Sequence, residues 1–264
     1  MGRTPSPDKA LGQHFLFDPG ILGKIADFAR VKPGDEVLEI GPGPGGLTRT
    51  LIERGARVTA LEADARMVAH LLEMDLPGLT IIHGDALKAD YLVFAGDRGG
   101  RLKLVSNLPY NISGPLTARL LRQRTAFTDM TLMYQKEVAD RIAAPPGGRE
   151  RGILSALSQA FCIVEPGFRV PPGAFRPPPK VHSALVRFTI PEKPLFEVKD
   201  EELLWKIVHE AFQKRRKQLR NCLRHRVEDG TGIYEQAGLT GAERPEELSA
   251  ENWVVLSNLL AERV

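Results

Sequence analysis

Cysteine is nearly absent. The 264 residues hold two, Cys162 and Cys222, with no CxxC or Cys/His spacing around either, which excludes a disulfide framework and a cysteine metal site. Six histidines are present, and His182, His209 and His225 show no spacing suited to a ligand set, so no metal is expected. Long apolar runs are missing too: no stretch approaches the ~18 consecutive apolar residues of a membrane span, and MGRTPSPDKA at the start has no hydrophobic signal region. The expectation is a cytoplasmic protein of a reducing compartment with no membrane partner. Net charge is also small, +3, and as a total it argues for no polyanionic partner. Its distribution does: residues 1–100 carry −3, residues 101–190 carry +8 and residues 191–264 carry −2. Within the last third, Gln213 to Arg226 has seven basic residues and no acidic one, the pattern of a basic helix facing a phosphate backbone or of a plain solvated face.

What is present is an ordinary globular composition, 42% hydrophobic and 26% charged, at a length that fits one large domain plus a small one. Strand-length apolar runs at Val37–Ile40, Val58–Leu61, Leu79–Ile82, Leu102–Val105 and Met130–Tyr134 alternate with helical stretches at Leu47–Arg54, Ala65–Met74 and Pro115–Arg124. That order predicts an α/β fold with a mostly parallel sheet covered by helices on both faces. After a helix at Ile153–Ala160, Phe161–Val164 and Ser183–Ile190 read as an antiparallel addition around a Pro-rich loop. Beyond Pro191 and Pro194 strands stop, and Asp200–Gln213, the basic stretch and Ala250–Glu262 read as helices. The expected division is 1–192 for a sheet domain and 193–264 for a small all-helical one.

The first strand runs into EIGPGPGGLT at 39–48. Glycines at 41, 43 and 46 satisfy a dinucleotide fingerprint, and those at 41, 43 and 45 satisfy the GxGxG of enzymes that use S-adenosylmethionine. In both, missing side chains let a ligand approach the backbone at a helix N-terminus. Glu62, ending the second strand, suits two ribose hydroxyls in either cofactor. Asp85, after the third strand, can accept from an adenine amino group or simply cap the next helix.

The fourth strand leads into Ser106-Asn107-Leu108-Pro109-Tyr110. An exocyclic amine attacks poorly because its lone pair is delocalised into the ring. The Asn107 amide oxygen and the Leu108 carbonyl can accept both N–H protons and push the nitrogen toward tetrahedral geometry. Pro109 fixes the loop's φ and removes a competing donor, and Tyr110 offers a face on which a flipped base can stack.

With these motifs in place the chain resembles the bacterial small-subunit rRNA adenine dimethyltransferases, the kasugamycin-resistance family. The matching segments run from LGQHFL at 11–16 through NLPYNIS at 107–113, QKEVADR at 135–141, FRPPPKV at 175–181 and Ser183-Ala184 to RRKQLRN at 215–221 and RPEELS at 244–249. The resemblance implies a Rossmann-like methyltransferase domain and a helical RNA-binding domain. It also implies dimethylation of N6 on two adjacent adenosines in a hairpin near the 3′ end of 16S rRNA, with S-adenosylhomocysteine as by-product and the small ribosomal subunit as partner of a monomeric enzyme. It assigns His14, Leu16, Gly41, Gly43, Glu62, Asp85, Ala86 and Asn107 to the cofactor, and sets Phe175 opposite Tyr110 to sandwich the target base. Two positions depart from the family: His14 stands where Asn is common, and the Gly-Ser-Lys-x-Tyr-Gly-type loop reads GGRERG at 147–152.

Arg141, Lys180, Lys214, Arg215, Arg216, Lys217 and Arg220 are the candidate RNA contacts. Three other readings compete. A macrolide-resistance type enzyme would modify large-subunit rRNA; an assembly or transcription factor of the same fold would bind nucleic acid without catalysis; a dehydrogenase using NAD would leave Asn107–Tyr110 and Phe175–Val181 unexplained.

Overall fold

The computed structural model describes residues 5–7, 13–97, 100–227 and 232–263. Leu11 and Gly12 of the first motif lie outside them. The described chain divides into two compact units, residues 1–139 with 165–190, and residues 140–164 with 191–264.

In the first unit a short strand β1 (Phe15–Leu16) precedes helix α1 (Pro19–Phe28), whose N-cap Asp18 accepts from the Ile21 N–H and whose first position is proline. Strands and helices then alternate: β2 (Glu36–Ile40), α2 (Gly46–Glu53), β3 (Arg57–Glu62), α3 (Ala65–Glu73), β4 (Leu79–His83), α4 (Tyr91–Asp97), β5 (Leu102–Asn107), α5 (Ser113–Arg122) and β6 (Phe127–Gln135). Each expected apolar run lies inside an observed strand. In chain order helix α6 (Lys136–Ile142) and α7 (Ile153–Phe161), the latter in the second unit, follow, then strands β7 (Ile163–Val170), β8 (Phe175–Arg176) and β9 (Ser183–Thr189). The main sheet has the order β4-β3-β2-β5-β6-β9-β7, and β1 pairs with β8 as a separate antiparallel ribbon. Strands β4 through β6 run parallel and β9 joins antiparallel to β6, as an α/β fold with an antiparallel addition requires. Central strands read as unbroken apolar runs because helices cover both faces; β2 is buried from Val37 to Ile40.

Strand β7 corrects the expectation of a short strand at Phe161–Val164. Phe161 ends α7, and the strand continues through Pro166 and Gly167. An edge position tolerates a proline that cannot donate to the ladder. A Cβ on Gly167 would lie 2.8 Å from the Phe28 ring and 2.9 Å from Leu185 Cβ, so glycine there lets the strand lie against both.

The second unit corrects the division at 192. It takes α8 (Glu201–Gln213), α9 (Leu219–Cys222), α10 (Ile233–Gln236) and α11 (Ala250–Ala261), as expected, but also residues 140–164 with α7. The reason is packing. α7 buries Ser155, Ala156, Leu157, Ser158 and Ala160, small enough for close helix contact, and Arg151 is fully buried. Its guanidinium donates to the carbonyls of Leu248 and Ala144 and to Gln159 Oε1, tying the 144–152 loop to the segment before α11.

The basic stretch is not one helix. α8 stops at Gln213, Lys214–Lys217 form a turn, and α9 is a single turn. Consecutive like charges repel along a helix, while Leu219, Cys222 and Leu223 are buried, and the Cys222 thiol donates toward the Lys214 and Lys217 carbonyls at 3.5 and 3.7 Å. Trp253 on α11 is wholly buried 6.1 Å from the Phe212 ring, a core role, while Trp205 is half-buried. Trp253→Ala should lower stability by about 3–5 kcal/mol, measured by chemical denaturation; a change under about 1 kcal/mol would contradict this packing.

Candidate active site

A cavity of about 340 Å³ opens where the carboxyl ends of β2, β3 and β5 meet, the position at which open α/β sheets bind ligands. His14, Leu16, Gly41, Gly43, Glu62, Asp85, Asn107, Leu108, Pro109 and Tyr110 all line it. Thus seven expected positions that lie far apart in sequence converge with three more from the loop after β5.

The glycine loop is bent as its sequence demands. Gly43 has φ +55°, and a Cβ there would stand 3.1 Å from the Phe15 ring; Gly45 has φ +80°, and a Cβ would stand 2.9 Å from Leu71 and Met74 side-chain atoms. Glu62 is buried and spans the loop: Oε2 accepts from the Gly43 N–H at 3.1 Å and Oε1 from the Asp64 N–H at 2.9 Å. Burial pushes its carboxyl up, and these amides pull the other way. Each oxygen keeps acceptor capacity for a hydroxyl. Asp64 caps α3 and is held down to about 2 by the Arg66 guanidinium, with Gln13 donating to it at 3.1 Å. Asp85 Oδ1 accepts from the Leu87 N–H at 2.9 Å, so the residue caps a turn and lines the cavity at once.

The loop after β5 is held at several points. The buried Ser106 hydroxyl donates to the Ile40 carbonyl at 2.5 Å, joining β5 to β2 below the glycine loop. Asn107 Nδ2 donates to the His14 carbonyl at 3.2 Å. A carbonyl can only accept, so the amide nitrogen is committed there and Oδ1 remains for an incoming donor. The Tyr110 hydroxyl bonds Ser183 Oγ at 2.6 Å, and the Ser113 hydroxyl donates to the Tyr110 carbonyl at 3.0 Å. Burial raises the Tyr110 phenol.

Two expected site residues are elsewhere. Phe175 is 1% exposed and packs among Leu16, Val170, Met133 and Leu185, because pairing β8 with β1 turns its ring into the core; it does not face Tyr110 across the cavity. Ala86 is buried and off the cavity wall, its carbonyl accepting from the Tyr91 hydroxyl at 2.7 Å. The ring stacked on Tyr110 is His14, with centroids 5.6 Å apart and planes at 28°.

Among the basic candidates, Lys180 is exposed in the first unit. In the second, Arg141, Arg216, Lys217 and Arg220 belong to the surface layer, although Arg220 Nε donates to the Gly241 carbonyl at 3.3 Å. Lys214 is exposed at the end of α8. Arg215 is engaged by the Arg149 carbonyl and lies 3.7 Å from Glu246, so part of its charge is already answered.

Sequence reasoning missed Glu39 and Ser183 as site residues. Glu39 lines the cavity, is 2% exposed, and accepts from the Thr48 hydroxyl at 2.6 Å. Burial pushes it up to about 8, helped by Glu62 and opposed by the Thr48 bond. A carboxylate at the end of an otherwise buried strand was the available signal for Glu39; Ser183 had none before its partner was known.

Similarity to known proteins accords with this geometry. A family profile described as "Ribosomal RNA adenine dimethylase" matches residues 6–262. Proteins called "Ribosomal RNA small subunit methyltransferase A" are 44% identical in Magnetococcus marinus, over 96% of this chain and 91% of that protein, and 44% identical in Pseudomonas aeruginosa, over 96% and 94%. Among solved structures, a dimethyladenosine transferase from Plasmodium falciparum superposes with TM-score 0.77 at 27% identity, covering 92% of this chain and 96% of that one. The 23S rRNA methyltransferase ErmE does so with TM-score 0.71 at 28% identity, covering 94% and 99%.

The Glu39 carboxyl predicts a pH dependence. Its folded pKa lies above its ordinary 4.5, so its contribution to stability is fully present below 4.5 and is lost as pH rises through about 8. Glu39→Gln removes that loss. The melting temperature of the variant relative to the parent should therefore rise between about pH 5 and about pH 9; parallel melting curves across that range would refute the assignment.

Proposed function

The chain belongs to the ribosomal RNA adenine dimethylase family, and from that membership we propose that it transfers methyl groups from S-adenosylmethionine to N6 of adenosines in small-subunit rRNA. We assign it two adjacent adenosines in a hairpin near the 3′ end of that RNA, each dimethylated. The observation that carries the mechanism is the orientation of Asn107. With Nδ2 held by the His14 carbonyl, Oδ1 is left as an acceptor at the cavity wall.

In this reading Gly41 and Gly43 present open backbone to the cofactor, Glu62 takes ribose hydroxyls and Asp85 takes the adenine amino group. Leu16 covers the site as part of its wall. The cofactor supplies a methyl on a sulfonium, which needs no metal to leave. Asn107 Oδ1 and the Leu108 carbonyl accept the two N–H groups of the target amine, so its lone pair turns out of the ring plane toward the methyl. The N–C bond forms as the S–C bond breaks, and the amine, made acidic by the transfer, gives its proton to solvent without a strong base. Pro109 keeps the loop's backbone from competing as a donor. Tyr110, pinned by Ser183, holds the base by one face.

We further assign the first unit to cofactor and catalysis, and the second to target recognition through Arg141, Lys214, Arg215, Arg216, Lys217 and Arg220, with Lys180 contributing from the first. Binding through such contacts weakens steeply with salt. A large-subunit target, which the likeness to ErmE would allow, is disfavoured by the higher identity to small-subunit enzymes over nearly the whole chain.

Mass spectrometry of RNA from hypomethylated small subunits, incubated with the protein and S-adenosylmethionine, should show two neighbouring dimethyladenosines. Methylation only of large subunits would replace this reading with the macrolide-resistance type, and none in either would end it. Asn107→Ala should slow transfer by roughly 100-fold or more, as removal of a polar group that stabilises a transition state does, with subunit binding retained.

A further inference from the structure

In the basic turn after α8, Lys214, Arg216 and Lys217 are exposed, but Arg215 is partly buried and its guanidinium is turned onto protein. It donates to the Arg149 carbonyl and lies 3.7 Å from Glu246 Oε2. We propose that Arg215 is a positioning residue, a strut that fixes the apex of the 144–152 loop beside the basic turn, and that Arg149, carried at that apex, takes an RNA phosphate. The proposal rests on the rRNA reading above. It adds one phosphate contact to that reading and changes the task of Arg215.

The loop begins Pro145-Pro146-Gly147-Gly148, a sequence that neither a helix nor a sheet can hold. A surface loop of this kind is ordinarily mobile, yet this one is tied at three alternate residues. The Gly147 N–H donates to the Glu246 carbonyl at 2.9 Å, and Gly147 has φ +80°, which its missing side chain permits. The Arg151 N–H donates to the Gly148 carbonyl at 3.0 Å, while its buried guanidinium donates to the Leu248 and Ala144 carbonyls. Between these two anchors Arg215 holds the Arg149 carbonyl. The Arg149 side chain is what remains over: it is exposed and makes no ion pair among the described residues.

The two arginines differ in what they would give up to reach a phosphate. Glu246 Oε2 is hidden from solvent and accepts no hydrogen bond among the described residues, so its charge is answered by the nearby Arg215. Moving Arg215 to RNA would leave that oxygen uncompensated, a costly exchange for a shielded carboxylate. A planar fork of donors is also what a strut between a carbonyl and a carboxylate needs. Arg149 gives up nothing. Its backbone is already fixed, so only its side chain has to be ordered on binding. The acidic side chain of the loop, Glu150, is itself exposed, where salt screens it.

The test measures binding of hypomethylated small subunits over a range of salt concentrations for the parent, Arg149→Ala, Arg215→Ala, the double variant and Glu246→Gln. Methylation kcat and S-adenosylmethionine affinity are measured alongside. Arg149→Ala should weaken binding and lower the salt slope by about one, the increment for one phosphate contact. Arg215→Ala should do the same, because Arg149 is no longer placed, and the double variant should lose no more than either alone. Glu246→Gln should weaken binding about 2- to 5-fold by loosening the strut. In all four, kcat at saturating subunit and cofactor affinity should remain those of the parent, which general unfolding would not allow. If Arg215→Ala fails to fold, Arg215→Lys replaces it: it keeps the charge but not the fork, and should weaken binding as well. A slope lowered by about two in the double variant, or parental binding by Arg215→Lys, would make Arg215 a phosphate contact in its own right. Tighter binding by Glu246→Gln would make Glu246 a competitor of RNA, and an unchanged slope in Arg149→Ala would remove Arg149 from the interface; each overturns the proposal. A parent that methylates neither ribosomal subunit overturns the function itself, whereas a working parent with any of those outcomes overturns the strut alone.

Discussion

Everything in the site depends on β2 and β5 being neighbours. The chain builds β2, β3 and β4 outward in one direction, then returns to lay β5 on the other side of β2. Connections leave these two strands toward opposite sides, so their carboxyl ends open a crevice that no helix can cover. The Ser106 hydroxyl on the Ile40 carbonyl fastens the two ends just before the strands turn into their loops. The glycine loop and the Asn107–Tyr110 loop are therefore set against each other by the sheet itself. On the proposed function, cofactor and target base use separate loops with a common base, which keeps the reacting atoms in register without a dedicated scaffold.

How much of this was legible follows from the kind of interaction involved. The parallel strands could be read because burial on both faces writes continuous apolar runs, and their order of appearance dictated the alternation. Gly41, Glu62, Asp85 and Asn107 were legible because each sits at a strand end, where the motif and the topology agree. Helix α1 was not foreseen, although Asp18-Pro19 is a cap signal, because its period is short and interrupted by Gly20 and Gly23. Phe175 lies away from its expected place for a reason no local pattern contains: its burial is decided by a two-residue pairing between segments about 160 residues apart. The division of the chain was misplaced for a similar reason, since Arg151 joins the 144–152 loop to Leu248 through backbone carbonyls, which carry no sequence signature.

Charge shows the same limit. The +8 of residues 101–190 overstates what can face an RNA. Lys103 lies 3.0 Å and Arg187 3.6 Å from the buried Asp129, and Arg187 also reaches Glu165 at 3.3 Å. Arg101 is spent on the Phe127 and Ile190 carbonyls, Arg119 on that of Ala89, and Arg151 is buried. Several cations of the most basic third are thus committed to carboxylates or backbone carbonyls, and counting them as a phosphate-binding surface conflates two uses of the same residue types.

The interrupted outer strand has a consequence for life in a crowded solution. A seven-stranded sheet ends in two open edges, and each is a row of unpaired amides that another chain could extend. On one side the edge is β7, where Pro166 withholds a donor and Gly167 adds no side chain to grip. On the other it is β4, only five residues long. The fold thus offers another chain little to extend at either end of its sheet.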